Sequence, residues 1–196
     1  MKFKRLYLRL HKDKFESFIK RYHFEEQSAL FSKIYDKMIR MIQPAIYYEY
    51  DYPKTGQVTA IHTLGKRVDE WMDLYQDQGD MLKAYAIECL SLEFLSHSYM
   101  QFQEIIYRER RQFLENIHFC DYEELTLIIS DFKQKCVSFP ISINTAAALT
   151  PTKTTVYYGQ LGESASCSTH NCHFCDQIHC VFRTFTGDNY DIKRIP

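Results

Sequence analysis

The chain has 196 residues with a formal net charge of -1, 45% hydrophobic and 25% charged side chains, and only 6 Gly and 5 Pro. That length can bury a real core as one domain without disulfides, and the composition excludes a disordered or fibrous chain. The near-neutral charge leaves no broad positive field for nucleic acid or an anionic membrane, no run of 18 apolar residues offers a membrane span, and Met1 to Leu8 has no apolar stretch of signal-peptide length. A cytoplasmic protein is expected, with no nucleic acid and no membrane as partners.

In chain order, Phe15, Phe18, Ile19 and Tyr22 recur at helical spacing and predict a helix over about 12–22. Leu30, Ile34, Met38 and Met41 or Ile42 predict a second over about 26–43, with Pro44 ending it. Ala45 to Tyr50 reads as a strand, and Val58 to Leu64 as its neighbour across the turn residues Pro53 to Gly56. Val68, Trp71, Met72 and Tyr75 mark a helix broken at Gly79. From Leu82 to Ile106 the apolar positions step by threes and fours, predicting one long helix ending near Arg111. Asp121 with Glu124 forms a capping-box pattern ahead of a helix to about Lys135. Late strands are expected near Phe139 to Asn144 and from Thr154 to Leu161. The fold class is therefore α+β, with residues 1–161 as the core and 162–196 as a small metal-binding tail.

Seven cysteines are an odd number, and four of them are spaced Cys167-x4-Cys172-x2-Cys175-x4-Cys180, while Cys89, Cys120 and Cys136 are scattered. Clustering without a secretory signal favours reduced thiolates on a metal over disulfides. A close pair such as Cys172 and Cys175 suits zinc, and the x4 then x2 spacing also matches a plant-type ferredoxin run. The site is thus an iron-sulfur cluster or zinc, and His170, His173 and His179 leave a mixed zinc shell open. Such a metal would order a tail that has no core of its own.

Weaker candidates carry bland explanations. Arg108, Arg110 and Arg111 suit the C-terminal end of a helix dipole. His62 and His97 have no nucleophile or carboxylate at a diagnostic spacing, and Cys120 beside His118 is a thiol and base in sequence only. The abundant aromatics sit at core spacing. No Gly-rich phosphate loop, nucleophile elbow or His-Glu-x-x-His pattern occurs. No catalytic residue is assigned.

Several segments resemble, in order, the reactivation domain of cobalamin-dependent methionine synthase in its stand-alone form. Phe18-Ile-Lys-Arg-Tyr-His is similar to its opening helix, and Thr63-Leu-Gly-Lys-Arg-Val-Asp to its strand-to-helix junction. Gly79-Asp-Met-Leu-Lys-Ala-Tyr resembles the start of its long helix, and Pro151-Thr-Lys-Thr-Thr-Val its late strand entry. The tail ending Cys180-Val-Phe-Arg is similar to that of stand-alone members. The resemblance implies a curved antiparallel sheet flanked by helices, S-adenosylmethionine binding, and an accessory role in reductive reactivation of a corrinoid protein or cobalamin-dependent methyltransferase. One departure stands out: where the family has an Arg followed by a Pro-Gly-Tyr turn, this chain reads Arg111-Gln-Phe-Leu-Glu-Asn-Ile-His-Phe-Cys-Asp-Tyr, without the glycine that close approach to a ligand normally uses. No S-adenosylmethionine contact is carried over. The departure motivates an alternative, a non-enzymatic interaction module with a structural zinc, and exposed thiolates would also suit a redox or metal sensor.

Overall fold

Alternating side chains in the strands give the molecule two apolar cores, one on each face of an antiparallel sheet. The structure is a computed structural model and describes residues 1–10 and 12–163; residues 164–196, most of the expected tail, lie outside the described residues. Among the described residues the order is β1 (Lys2–Arg5), α1 (Lys12–Arg21), α2 (Ser28–Met41), β2 (Ala45–Tyr50), β3 (Gln57–Thr63), α3 (Arg67–Asp77), α4 (Met81–Arg110), β4 (Phe113–Phe119), α5 (Tyr122–Lys135), β5 (Ser142–Ile143), β6 (Leu149–Thr150) and β7 (Thr154–Gly162). Five strands form one sheet in the order β1-β2-β3-β7-β4, every pair antiparallel, and β5 and β6 form a separate two-stranded ladder.

On one face, Ile46, Tyr48, Val58, Ala60 and Tyr157 meet Phe18, Phe31, Met38, Phe94 and Phe102 from the helices. On the other, Tyr47, Ile61 and Val156 meet Ile128, Ile129 and Phe132 of α5, with Phe139 and Ile141. Consecutive strand residues alternate between these cores, so a slip of one residue in β2 or β3 would exchange them. The long helix α4 lies between the sheet and α2 and α3. Its small buried residues Ala86, Ser91 and Ser98 allow that close approach.

Helix ends follow from local chemistry. Gly79, at φ 72°, takes the left-handed turn after α3, and the Asp80 carboxylate then accepts from Lys83 N–H at 3.2 Å to start α4. Arg111, at φ 57°, closes α4 with its N–H on the Tyr107 carbonyl. The Asp121 capping box is complete: Glu124 N–H donates to Asp121 Oδ1 at 2.9 Å and Asp121 N–H to Glu124 Oε2 at 3.0 Å.

The predicted helices, β2, β3 and β7 match these elements within a few residues. Three strands, β1, β4 and the two-residue β6, had no counterpart in the sequence reading. In β4 a bulge between Leu114 and Asn116 interrupts the alternation that would have marked it. The bulge packs against Gly159 of β7, where an added Cβ would run into Leu114 Cδ2. Strand β1, Lys-Phe-Lys-Arg, is a short basic edge held by pairing with β2 and by Glu109. The expected strand at Phe139 to Asn144 shrinks to the two residues of β5.

Candidate functional site

Cys167, Cys172, Cys175 and Cys180, with His170, His173 and His179, lie outside the described residues. Strand β7 sits between β3 and β4, and its last residue, Gly162, pairs with Phe113. Leu161 N–H donates to the Gly56 carbonyl at 2.8 Å. The described residues therefore end at the sheet end that carries the β2–β3 turn and the C-terminus of α4.

The three arginines at that end are already engaged. Arg110 pairs with Asp51 at 2.8 Å and lies 4.6 Å from the centre of the Tyr50 ring. Arg108 pairs with Glu104 at 3.3 Å. Arg111 stands over Tyr107 at 5.2 Å, and Tyr107 in turn stacks on Phe113. The Gly56 backbone N–H and then Arg110 hold the Asp51 carboxyl below its ordinary range. These contacts match the bland reading of the basic run, a helix end tied to its neighbours.

Among the described residues Cys89, Cys120 and Cys136 are free thiols. Burial, helped by Glu124 and Asp121, pushes the Cys120 thiol up to about 12. Burial likewise raises Cys89 to about 11. A nucleophilic thiol needs the opposite environment. His118 does not serve Cys120 as a base: its Nε2 faces Glu124 Oε2 at 3.3 Å and its ring lies parallel to Tyr158. Among the described residues no group of three or more His, Cys, Asp or Glu side chains could hold a metal.

One polar constellation lies deep in the larger core. His62 of β3 is fully buried, with Nδ1 2.7 Å from Ser98 Oγ and Nε2 2.9 Å from the Tyr157 hydroxyl. Ser98 spends its one hydroxyl proton on the Leu95 carbonyl at 2.6 Å. It therefore accepts from His62, which places the ring proton on Nδ1 and leaves Nε2 to accept from Tyr157. The imidazole stacks on both Tyr99 and Tyr157, whose own ring centres lie 5.3 Å apart, and Tyr99 O–H donates to Thr155 Oγ1 at 2.7 Å. Burial drives the His62 pKa down to about 3 and raises that of Tyr157 well above its ordinary value. Every hydrogen-bonding atom of the ring is used and none meets solvent. His62 is a satisfied core histidine rather than a catalyst.

A second cluster escaped the sequence reading because its members are far apart in the chain. The Glu109 carboxylate takes Lys2 Nζ at 2.7 Å, Lys4 Nζ at 3.7 Å and the Tyr48 hydroxyl at 2.9 Å. Burial opposes its ionised form, but Lys2 and Tyr48 outweigh that and keep its pKa low. The Pro151 turn is pinned from the helices: Asp69 accepts from Thr152 N–H at 2.7 Å and its hydroxyl at 2.6 Å, and Glu88 binds Lys153 at 2.5 Å.

No helix among the described residues is long and apolar enough to cross a membrane. Compared with models of known protein families and with curated proteins, the chain matches none of them.

Proposed function

We propose that this chain is an accessory protein for reductive reactivation of a cobalamin-dependent methyltransferase, with Cys167, Cys172, Cys175 and Cys180 holding an iron-sulfur cluster. The observation that carries the reading is where the family-like segments fall. Thr63 to Asp69 is the junction of β3 and α3, Gly79 to Tyr85 opens the 30-residue α4, and Pro151 to Val156 leads into the interior strand β7. Phe18 to His23 closes α1. Segments that are short taken singly thus fall at element boundaries, which supports the reading.

The donor chemistry is consistent with this reading. Four soft thiolates suit iron-sulfur or zinc and do not suit hard, oxygen-seeking ions. A cluster would supply single electrons, and the protein's part would be to position it near the corrinoid partner. The test is a reactivation assay with a corrinoid methyltransferase trapped in its cob(II)alamin state, a chemical reductant and S-adenosylmethionine. Recovery of the methylated corrinoid on adding this chain, and its loss with Cys172→Ser/Cys175→Ser, supports the reading. Equal recovery with and without the chain overturns it.

A second reading, an interaction module with a structural zinc, is favoured by one observation. Residues 111–122, which would carry the Pro-Gly-Tyr turn, instead form β4 and the side-chain-capped entry to α5. Tight S-adenosylmethionine binding by calorimetry would refute that alternative.

A further inference from the structure

We propose that the groove between residues 5–9 and the last turn of α2 is a binding site for a small organic carboxylate, its head on Arg5 and Arg9 and its alkyl body on Ile39 and Ile42. The inference stands apart from the cysteine site and from the corrinoid reading.

The groove begins where β1 stops pairing. Leu6 N–H donates to the Pro44 carbonyl at 2.9 Å, and that bond is the last rung between this segment and the one preceding β2. Tyr7 presents its peptide groups to the opposite side, where the Gln101 side chain accepts from its N–H and donates to its carbonyl. By the same alternation Leu8 turns its N–H and C=O back toward the Pro44 side. Those two groups have no hydrogen-bond partner among the described residues. Beyond Leu6 the two segments therefore separate and leave backbone polar groups without protein partners.

The space between them is about 250 Å³, lined by Arg5, Leu8, Arg9, Ile39, Ile42 and Gln43 among others. Residues five and nine lie on the same side of an extended segment, and both arginines line the groove. Both arginines are exposed, and neither has an acidic partner among the described residues. This distinguishes them from Arg21, Arg108 and Arg110, each of which is paired with a carboxylate. An apolar floor with a few converging polar groups is the usual make-up of a small-molecule site. The guanidinium fork matches a carboxylate. The volume falls just below the roughly 300–1,000 Å³ of typical ligand pockets, which fits a short acid and excludes a nucleotide-sized cofactor.

Hexanoate is the probe, titrated into the full chain and followed by backbone amide NMR shifts, with hexanol and acetate as controls. Saturable shifts at residues 5–9 and 39–43 are expected with hexanoate. Removing charge-assisted hydrogen bonds in Arg5→Gln/Arg9→Gln should weaken binding about tenfold or more. Hexanol and acetate should each bind at least about tenfold more weakly, since each lacks half of the recognition. Both arginines are exposed, so an unchanged melting temperature is expected for the double variant and checks its fold. Absence of saturable shifts with hexanoate, equal binding by the double variant, or equal binding of hexanol overturns the proposal. Because none of these outcomes involves metal or corrinoid, its failure is distinguishable from failure of the reactivation reading.

Discussion

Replacing His62 with Gln tests whether its neutral, proton-fixed state holds the central strand to α4. Glutamine retains one donor for Ser98 and one acceptor for Tyr157 but cannot titrate. At pH 7.5 the variant loses the stacking of the ring on Tyr99 and Tyr157, a cost of about 1–2 kcal/mol if each contact is worth its usual fraction. At lower pH the order reverses. The folded pKa of about 3 lies below the ordinary value of 6.5, so the unfolded chain binds the extra proton. The wild-type contribution is whole above pH 6.5 and is lost as pH falls toward 3, at about 1.4 kcal/mol per pH unit. Two units below 6.5 that amounts to roughly 3 kcal/mol, more than the stacking lost in the variant. Urea unfolding of both proteins from pH 7.5 to 4.5 should show the Gln variant less stable at the top of the range and more stable at the bottom, with similar slopes against urea. Stability curves that stay parallel across the range would refute the buried, neutral assignment of His62.

Other substitutions probe different parts of the frame. Gly159→Ala, whose Cβ would strike Leu114 and approach Val58 Cγ1 within 3.1 Å, should cost about 1–3 kcal/mol by overpacking. Gly162→Ala meets first the Glu115 carboxylate, the far end of a flexible side chain, and should cost less than Gly159→Ala, within about 1 kcal/mol of wild type; chemical denaturation of the pair separates the two cases. Asp121→Ala removes one arm of the capping box and should cost about 1 kcal/mol, with faster amide exchange in the first turn of α5. Phe94→Ala, deep in the larger core, should cost about 3–5 kcal/mol in the same assay.

The legible part of the fold was the part governed by period and punctuation. The steps of three and four from Leu82 to Ile106 marked α4, and Gly79 marked the break before it; the Asp80 cap emerges only in the structure. Asp121 and Glu124 foretold a cap whose two hydrogen bonds are both present. The illegible part depended on neighbours distant in sequence. Strand β4 hides behind a bulge whose room comes from Gly159, and β1 is three basic residues in four, two of which, Lys2 and Lys4, meet Glu109 more than a hundred residues away. The His62 network drew no signal because histidine in an alternating run looks the same whether its partners come from solvent or from α4 and β7. Cys120 and His118 show the converse: adjacency suggested chemistry, but burial raises the thiol and Glu124 takes the imidazole. The four-cysteine block lies outside the described residues, and its spacing points to soft ligation without distinguishing the metal.

The most direct test of the central claim is the metal and sulfide content of protein purified without oxygen, recorded with its visible spectrum. The account predicts iron and acid-labile sulfide with broad visible absorption, all lost in Cys172→Ser/Cys175→Ser while the core's urea unfolding is preserved. One zinc per chain and a colourless protein would contradict the iron-sulfur assignment and leave the structural-zinc module as the better account.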